Sequence, residues 1–347
     1  NRKMKIKFSI FRIKLKHSFG ISRSSYDFYD IVYFYLIDGN IIGRGEAAPS
    51  LRYNESTEKI ASVLESGLSL PDDFKSRNEL WSFIKPQLKG ISSLEAAVNM
   101  AIWDWWGQKE NKAVYDILKL NVKTLPKTSY TIAIGDMDEL DEKIQASDPY
   151  SILKVKLGTP KNDKEIIRQI RLQTDKIIRV DANEGWTFDM AKEMSFWLAD
   201  RNIEFIEQPF PADRLDDTVL FREVSPLPLY ADENSIVSKD IPKIKRAFDG
   251  INIKLMKCGG IDEALNMINV AKQLNMKIML GCMVESSVGI TAAAHLASMV
   301  DVVDLDGNLL ISNDPYAGAE IDKGRLTLSE NKVGMGLSLI NDREGLL

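Results

Sequence analysis

Between residues 4 and 50 apolar and polar side chains alternate, most clearly in Lys5-Ile6-Lys7-Phe8, and a β-rich run follows at Ile31-Val32-Tyr33-Phe34-Tyr35. Alternation sends successive side chains to opposite faces, so this stretch reads as strands, with a hairpin turn signalled by Asp38-Gly39-Asn40. From residue 55 to about residue 120 the apolar spacing becomes helical, ending in the amphipathic stretch 93–106. Strands followed by packed helices predict an α+β unit over residues 1–124.

Beyond Thr131 the pattern changes. Short β-rich runs recur at 130–133, 152–157, 177–181, 203–207, 229–232, 251–255, 277–281 and 302–306, with helical segments between them. Their ends fall about 25 residues apart, the length that a strand, a loop and a three-turn helix need. Alternating strands and helices demand a parallel sheet, and eight strands in so short a span favour closure over an open doubly wound sheet. The expected fold class is therefore α/β: a (β/α)7β TIM-like barrel over residues 125–314, with the α+β unit as an N-terminal capping domain. Residues 315–347 offer no eighth barrel helix and are expected to return to the first domain, which would make it discontinuous.

Bulk properties narrow the partners. Against 50 acidic residues stand 45 basic ones, a net charge of −5, and no long basic run marks a nucleic-acid partner. No apolar run reaches the roughly 18 residues a membrane helix needs. The two cysteines, Cys258 and Cys282, form no CxxC pair, so no disulfide is expected and a reduced, cytoplasmic setting fits. A small-molecule partner is what remains.

In barrels of this kind the active site lies at the carboxyl ends of the strands. Strand two ends in Lys154-Val155-Lys156, whose period of two points both lysines to one side. Strands three, four and five end in Asp181, Glu207 and Asp232; strand six carries Lys254, and strand eight carries Asp304 and Asp306. On an eight-membered ring strands two and six are opposed, so Lys156 and Lys254 face each other across an arc of three carboxylates. That all-oxygen set suits Mg²⁺, and with only His17 and His295 in the chain an imidazole-rich zinc site is hard to build. One acidic residue at a strand end commonly caps a helix, and Lys-Val-Lys alone could edge a strand. Three carboxylates and two opposed lysines at one end of a barrel are much harder to attribute to solvation.

These segments resemble the enolase superfamily, in its muconate-lactonizing-enzyme-like subgroup. The likeness is carried by Lys154-Val155-Lys156, Asp181-Ala182-Asn183-Glu184, Ile206-Glu207-Gln208-Pro209, Ala231-Asp232-Glu233, and Asn252-Ile253-Lys254 through Gly259-Gly260, in matching order and spacing. Gly43-Arg44-Gly45-Glu46-Ala47 and Ala101-Ile102-Trp103-Asp104 resemble that family's capping domain, so the likeness spans essentially the whole chain. Asp304-Leu305-Asp306 resembles the motif by which dipeptide epimerases of the L-Ala-D/L-Glu type bind the substrate's α-ammonium, and Gly281-Cys282-Met283-Val284-Glu285-Ser286 resembles their seventh-strand segment. The resemblance implies one Mg²⁺ per subunit on Asp181, Glu207 and Asp232, with Lys156 and Lys254 as the acid/base pair. It further implies that Lys154 helps to polarise the substrate carboxylate, with substrate contacts from Asp304, Asp306, Thr131, Cys282 and Met283. A homo-oligomer acting on dipeptides in murein peptide metabolism is implied too. The subgroup with a histidine base on the seventh strand is excluded, since no histidine lies near residues 281–285.

The chemistry agrees with the residue types. Taking a proton from the carbon next to a carboxylate creates a doubly negative enediolate, which needs a fixed cation, and bases on opposite faces of that carbon invert it. Strand eight lies opposite strand four, so a ligand anchored by its carboxylate would extend a cationic group toward Asp304 and Asp306, the charge layout of a dipeptide. A loop cap is the plainer reading of that pair. Arg23 could pair with an acidic substrate side chain and Tyr53 could close the pocket, or both could be ordinary surface. The nearest alternative is an o-succinylbenzoate synthase or cycloisomerase of the same subgroup, whose anionic substrates the acidic pair would repel.

Overall fold

The computed structural model describes residues 4–340 and Leu346. Strands β1 (Lys5–Ile21), β2 (Ser24–Asp38) and β3 (Ile41–Ala47) form an antiparallel sheet in that order. The signalled turn joins β2 to β3, with Asp38 opposite Ile41 and Gly39 at φ 63°. A second tight turn, Ser22-Arg23, joins β1 to β2. Helices α1 (Thr57–Glu65), α2 (Arg77–Ile84), α3 (Ser92–Lys109) and α4 (Val114–Ile117) follow.

Residues 31–36 of β2 are buried on both faces, and strand alternation divides them between two cores. Val32, Phe34 and Leu36 pack with Leu94, Val98 and Trp105 of α3, whereas Ile31, Tyr33 and Tyr35 join the core shared with the barrel. Helix α3 is divided likewise, with Met100 and Trp103 on the barrel side. Two glycines let β3 lie against α3: a Cβ on Gly43 would come within 2.1 Å of Ala101 O, and one on Gly45 within 1.8 Å of Ala97 O. The next residue, Glu46, reaches the start of α12 (Ser287–Ala294) and accepts hydrogen bonds from Ser286 N, Ser286 Oγ and Gly289 N at 2.9, 2.9 and 2.8 Å. The Gly-Arg-Gly-Glu segment thus joins cap to barrel.

The barrel runs β4 (Tyr130–Ile132), α5 (Leu140–Ala146), β5 (Ile152–Lys156), α6 (Asp163–Gln173), β6 (Ile177–Asp181), α7 (Phe188–Ala199) and β7 (Ile203–Glu207). It continues with α8 (Leu215–Val224), β8 (Leu229–Ala231), α9 (Ile241–Ile244), β9 (Gly250–Ile253), α10 (Leu255–Cys258), α11 (Ile261–Gln273), β10 (Lys277–Leu280), α12 and β11 (Val302–Val303). These 8 strands pair in sequence order, all parallel. A parallel bridge between Thr128 and Val303 closes the ring, with Ser129 N donating to Val303 O at 3.2 Å. The floor is plugged by Phe205 stacked on Tyr230, centroids 4.0 Å apart, with Met279 beside them. The fold class is the one the periodicity predicts.

Every expected run contains a strand, but the ladders stop short of Asp232, Gly281 and residues 304–306. Side chains take over two of the N–H groups there, Gln208 Oε1 accepting from Asp232 N at 3.0 Å and Thr128 Oγ1 from Leu305 N at 2.8 Å, while Gly281 N and Asp304 N still donate to Ile253 O and Leu280 O at 2.8 and 2.9 Å. Past the barrel, β12 (Tyr316–Ala317), β13 (Glu320–Asp322), β14 (Arg325–Thr327) and β15 (Ser338–Leu339) form two small antiparallel sheets. This segment packs beside α3 and α4, where Val114 N donates to Gly334 O at 2.9 Å and Met335 N to Asp104 Oδ1 at 2.8 Å. Residues 341–345 and 347 of the expected returning segment lie outside the described residues. No helix among the described residues is long and apolar enough to cross a membrane.

His295, at the end of α12, holds three of these pieces together. Its Nδ1 accepts from Tyr115 N at 3.1 Å and its Nε2 donates to Met335 O at 3.1 Å, which is the neutral tautomer. Burial pushes its pKa down to about 4. An unfolded histidine titrates near about 6.5, so the unfolded chain binds the proton first as pH falls. The stability His295 contributes is complete above that value and is lost as pH drops from there to about 4. A shift of that size corresponds to about 3 kcal/mol. Urea denaturation at pH 7.5 and 4.5 is expected to show this loss in the parent and a flatter dependence in His295→Asn; an equal pH slope in both would refute it.

Candidate active site

The carboxyl ends of the barrel strands bring the predicted charges together under the cap. Lys156, Asp181 and Glu207 stand side by side in register on β5, β6 and β7, while Asp232 lies two residues past Tyr230, the register partner of Glu207. One oxygen from each of Asp181, Glu207 and Asp232 lies within 4.8 Å of the others, and all three residues are buried. Oxygens on a single Mg²⁺ at about 2.1 Å cannot be more than about 4.2 Å apart. The three oxygens are gathered near that span, and as hard donors they fit that ion.

The lysines are arranged around this arc. Lys156 Nζ donates to Asp181 Oδ2 at 2.7 Å at one end, and Lys254 Nζ donates to Asp232 Oδ2 at 2.7 Å at the other. Lys154 lies between, its Nζ 2.7 Å from Glu207 Oε2, 2.7 Å from Asp304 Oδ2 and 3.5 Å from Asp181 Oδ2. Burial opposes the Lys154 ammonium, but Asp304, Glu207 and Asp181 outweigh it and hold its pKa above the usual lysine range. The same contest, won by Asp232, raises Lys254. Glu207 is raised despite Lys154 beside it, because burial and the neighbouring Asp181 disfavour its charge. For Asp181 and Asp232 burial acts upward too, yet the lysines prevail and hold both below the ordinary carboxylate value.

Across the mouth, Asp304 and Asp306 both face the site while Leu305 between them is buried in the core, so alternation persists beyond the ladder. Their environments differ. Asp304 accepts from Ser129 Oγ at 2.7 Å through Oδ1 and from Lys154 through Oδ2. Asp306 accepts from Thr131 N at 2.6 Å through Oδ2, and burial with the adjacent Asp304 raises its pKa to about 7.

Lys156, Lys254, Asp232, Asp304, Asp306 and Thr131 line one cavity of about 480 Å³, together with Cys282, Met283, Arg23 and Tyr53. Cys282 donates its thiol to Asp304 O at 3.3 Å, and Met283 N donates to Glu285 Oε2 at 2.7 Å. Lys154 and Arg23 both have partners within the chain. Lys154 is held between Glu207 and Asp304 at 1% exposure, with Asp181 3.5 Å from its Nζ. Arg23 is engaged within the chain, donating to Glu233 Oε1 at 3.0 Å, Glu184 Oε2 at 3.3 Å and Asn183 O at 3.0 Å.

Sequence reasoning missed Lys257 and Asn252. Lys257 Nζ donates to Asp232 Oδ1, Asp232 O and Asn252 O at 2.7, 2.8 and 2.9 Å, and Asn252 Nδ2 donates to Glu207 Oε1 at 2.7 Å. The signal was present: Asn252 precedes Lys254 by two, the strand period, and Lys257 follows it by one helical turn. The cap's contribution carried no comparable signal, because Ser22 and Arg52 meet the loop after β6 only through long-range folding. Ser22 Oγ donates to Asn183 O at 2.7 Å, and Arg52 grips Glu184 through two 2.9 Å bonds.

Residues 136–343 match the family described as Enolase C-terminal domain-like. An L-Ala-D/L-amino acid epimerase from Pedosphaera parvula is 38% identical, with 96% of this chain and 99% of that protein covered. An L-Ala-D/L-Glu epimerase from Bacteroides thetaiotaomicron is also 38% identical, with 94% of this chain and 86% of that protein covered. Among solved structures, a dipeptide epimerase from Cytophaga hutchinsonii complexed with Mg and the dipeptide D-Ala-L-Val superposes with a TM-score of 0.90 at 27% identity, covering 97% of this chain and 96% of that one.

Proposed function

The chain belongs to the enolase superfamily, and from that premise we propose that it is a Mg²⁺-dependent dipeptide epimerase, an isomerase that inverts the α-carbon of the C-terminal residue through an enediolate. One observation carries the reading. Two lysines stand at opposite ends of a buried carboxylate arc, and the cavity they line ends in an acidic pair.

Asp181, Glu207 and Asp232 would hold the ion, which when bound supplies positive charge to the substrate carboxylate as that carboxylate becomes dianionic. Lys156 Nζ or Lys254 Nζ takes the α-proton from its own face, and the other lysine returns one to the opposite face, so the product has inverted configuration. Asp306 accepts the substrate's ammonium. Asp304, with both oxygens engaged by Ser129 and Lys154, holds Lys154 against Glu207 and acts as a positioning residue. Lys257 and Asn252 orient Asp232 and Glu207. An o-succinylbenzoate synthase or cycloisomerase would use the same lysines and triad, but its substrates carry no cation to meet Asp306.

The division into a cap of residues 1–124 with 315–347 and a barrel of 125–314 is part of this proposal, supported by the hydrogen bonds from α4 and α3 to Gly334 and Met335. So is assembly as a homo-oligomer, supported by Leu172, Phe196 and Leu220, exposed at 79, 54 and 55% on the successive helices α6, α7 and α8. We place the activity in the cytoplasm and in murein peptide metabolism; a reduced compartment suits the free thiols of Cys258 and Cys282.

The test is α-proton exchange in D₂O with Mg²⁺ and a dipeptide panel. Loss of the C-terminal α-proton signal, with the second epimer accumulating, is expected; exchange at the N-terminal α-carbon instead, or none with any dipeptide, would sink the reading. Asp306→Asn is expected to raise KM for dipeptides about tenfold while sparing an N-acylated analogue, and Asp304→Asn to lower kcat. Equal KM effects on the free and acylated substrates would remove Asp306 from ammonium binding.

A further inference from the structure

We propose that the residue this enzyme inverts carries an apolar side chain, seated in a pocket that the cap closes over the barrel mouth; the inference rests on the dipeptide reading above. In the trigonal intermediate the α-carbon and its three substituents are coplanar, and the two faces of that plane are turned to Lys156 and Lys254. Within the plane the carboxylate points to the Asp181–Glu207–Asp232 arc and the peptide nitrogen runs toward Asp304 and Asp306. The side chain is left with the barrel axis. Downward the interior is filled by Lys154, Arg179, Phe205, Tyr230 and Met279, none more than 7% exposed. The side chain therefore rises into the cap.

The cap presents apolar and aromatic surface to that space: Phe19, Ile21, Tyr26, Tyr29, Leu51 and Tyr53 line the cavity. It also contributes three charged residues, Arg23, Arg52 and Asp30, and each is already neutralised. Arg23 is paired with Glu233 at 3.0 Å, Arg52 with Glu184 at 2.9 Å, and Asp30 with Arg12 at 2.7 Å. An acidic substrate side chain would have to take Arg23 from the 4% exposed Glu233, leaving that carboxylate without its counter-ion, or take Arg52 from Glu184, leaving it only the 3.3 Å ion pair with Arg23. A basic one would have to take Asp30 from Arg12. An apolar side chain disturbs none of these pairs and covers surface that now faces water, since Leu51 is 72% exposed and Tyr26 37%. The cavity, at about 480 Å³, is in the range that encloses small ligands.

The experiment compares kcat/KM of the Mg²⁺-loaded enzyme for L-Ala-L-Leu, L-Ala-L-Phe, L-Ala-L-Glu and L-Ala-L-Lys, read as α-proton exchange in D₂O. The apolar pair is expected to exceed the charged pair at least about tenfold. An equal or higher value for L-Ala-L-Glu or L-Ala-L-Lys overturns the inference and leaves the dipeptide reading standing; no exchange with any of the four overturns both. Leu51→Ala, a change at an exposed rim position, is expected to reduce the preference for L-Ala-L-Leu over L-Ala-L-Ala about fivefold. An unchanged ratio would take the pocket away from the cap.

Discussion

Replacing either Lys156 or Lys254 by alanine is expected to abolish epimerisation, by about 10³-fold or more, while the two variants keep complementary halves of the proton chemistry. Each lysine serves one face of the α-carbon. With Lys156 gone, Lys254 can still remove the α-proton from the epimer that presents it to β9, and return a solvent-derived deuteron to the same face. That variant exchanges one epimer in D₂O without inverting it, and the Lys254 variant exchanges the other. Each lysine is paired with a different carboxylate, Asp181 or Asp232, so removing one leaves the other's partner in place. Circular dichroism and thermal melting check that the fold survives. The mechanism fails if a single variant still inverts its substrate, or if both variants exchange the same epimer.

The second large effect concerns the ion. Glu207 is the middle member of the triad, with Asn252 on Oε1 and Lys154 on Oε2, so Glu207→Gln removes the central negative charge without changing the shape of the site. The variant is expected to bind Mg²⁺ at least about 100-fold more weakly by titration calorimetry and to lose activity by about 10³-fold. Thermal melting gives a readout independent of turnover. At about 100 times its dissociation constant, a ligand bound only to the folded state adds about 2.7 kcal/mol of stability, so Mg²⁺ should raise the parent's Tm and leave the variant's unmoved. An equal rise in both would remove Glu207 from the ligand set. Chelation should abolish parental activity, and added Mg²⁺ should restore it.

Much of the fold was legible along the chain because its signals are local. A period of two in Lys154-Val155-Lys156 sends both lysines inward whatever surrounds them, and it placed Asp304 and Asp306 on one side even though the ladder of β11 ends at Val303. Recurrence of strands at nearly constant spacing was enough to predict a parallel barrel. Where strands end was less legible: Asp232 and Leu305 give their backbone N–H groups to side chains of Gln208 and Thr128, and no periodicity announces that exchange.

The amino-acid sequence by itself determined the order of strands, the side to which each charged residue points, and hence the set of two lysines, three triad carboxylates and the acidic pair. Tertiary structure alone decided who neighbours whom. Lys154 meets Asp304 across 150 residues and Arg23 meets Glu233 across 210, and no local pattern along the chain announces either pairing. The physical reason is that side-chain direction follows from backbone geometry within a few residues. The partner of a charge depends instead on which distant chain the closed barrel and its cap bring within hydrogen-bonding reach.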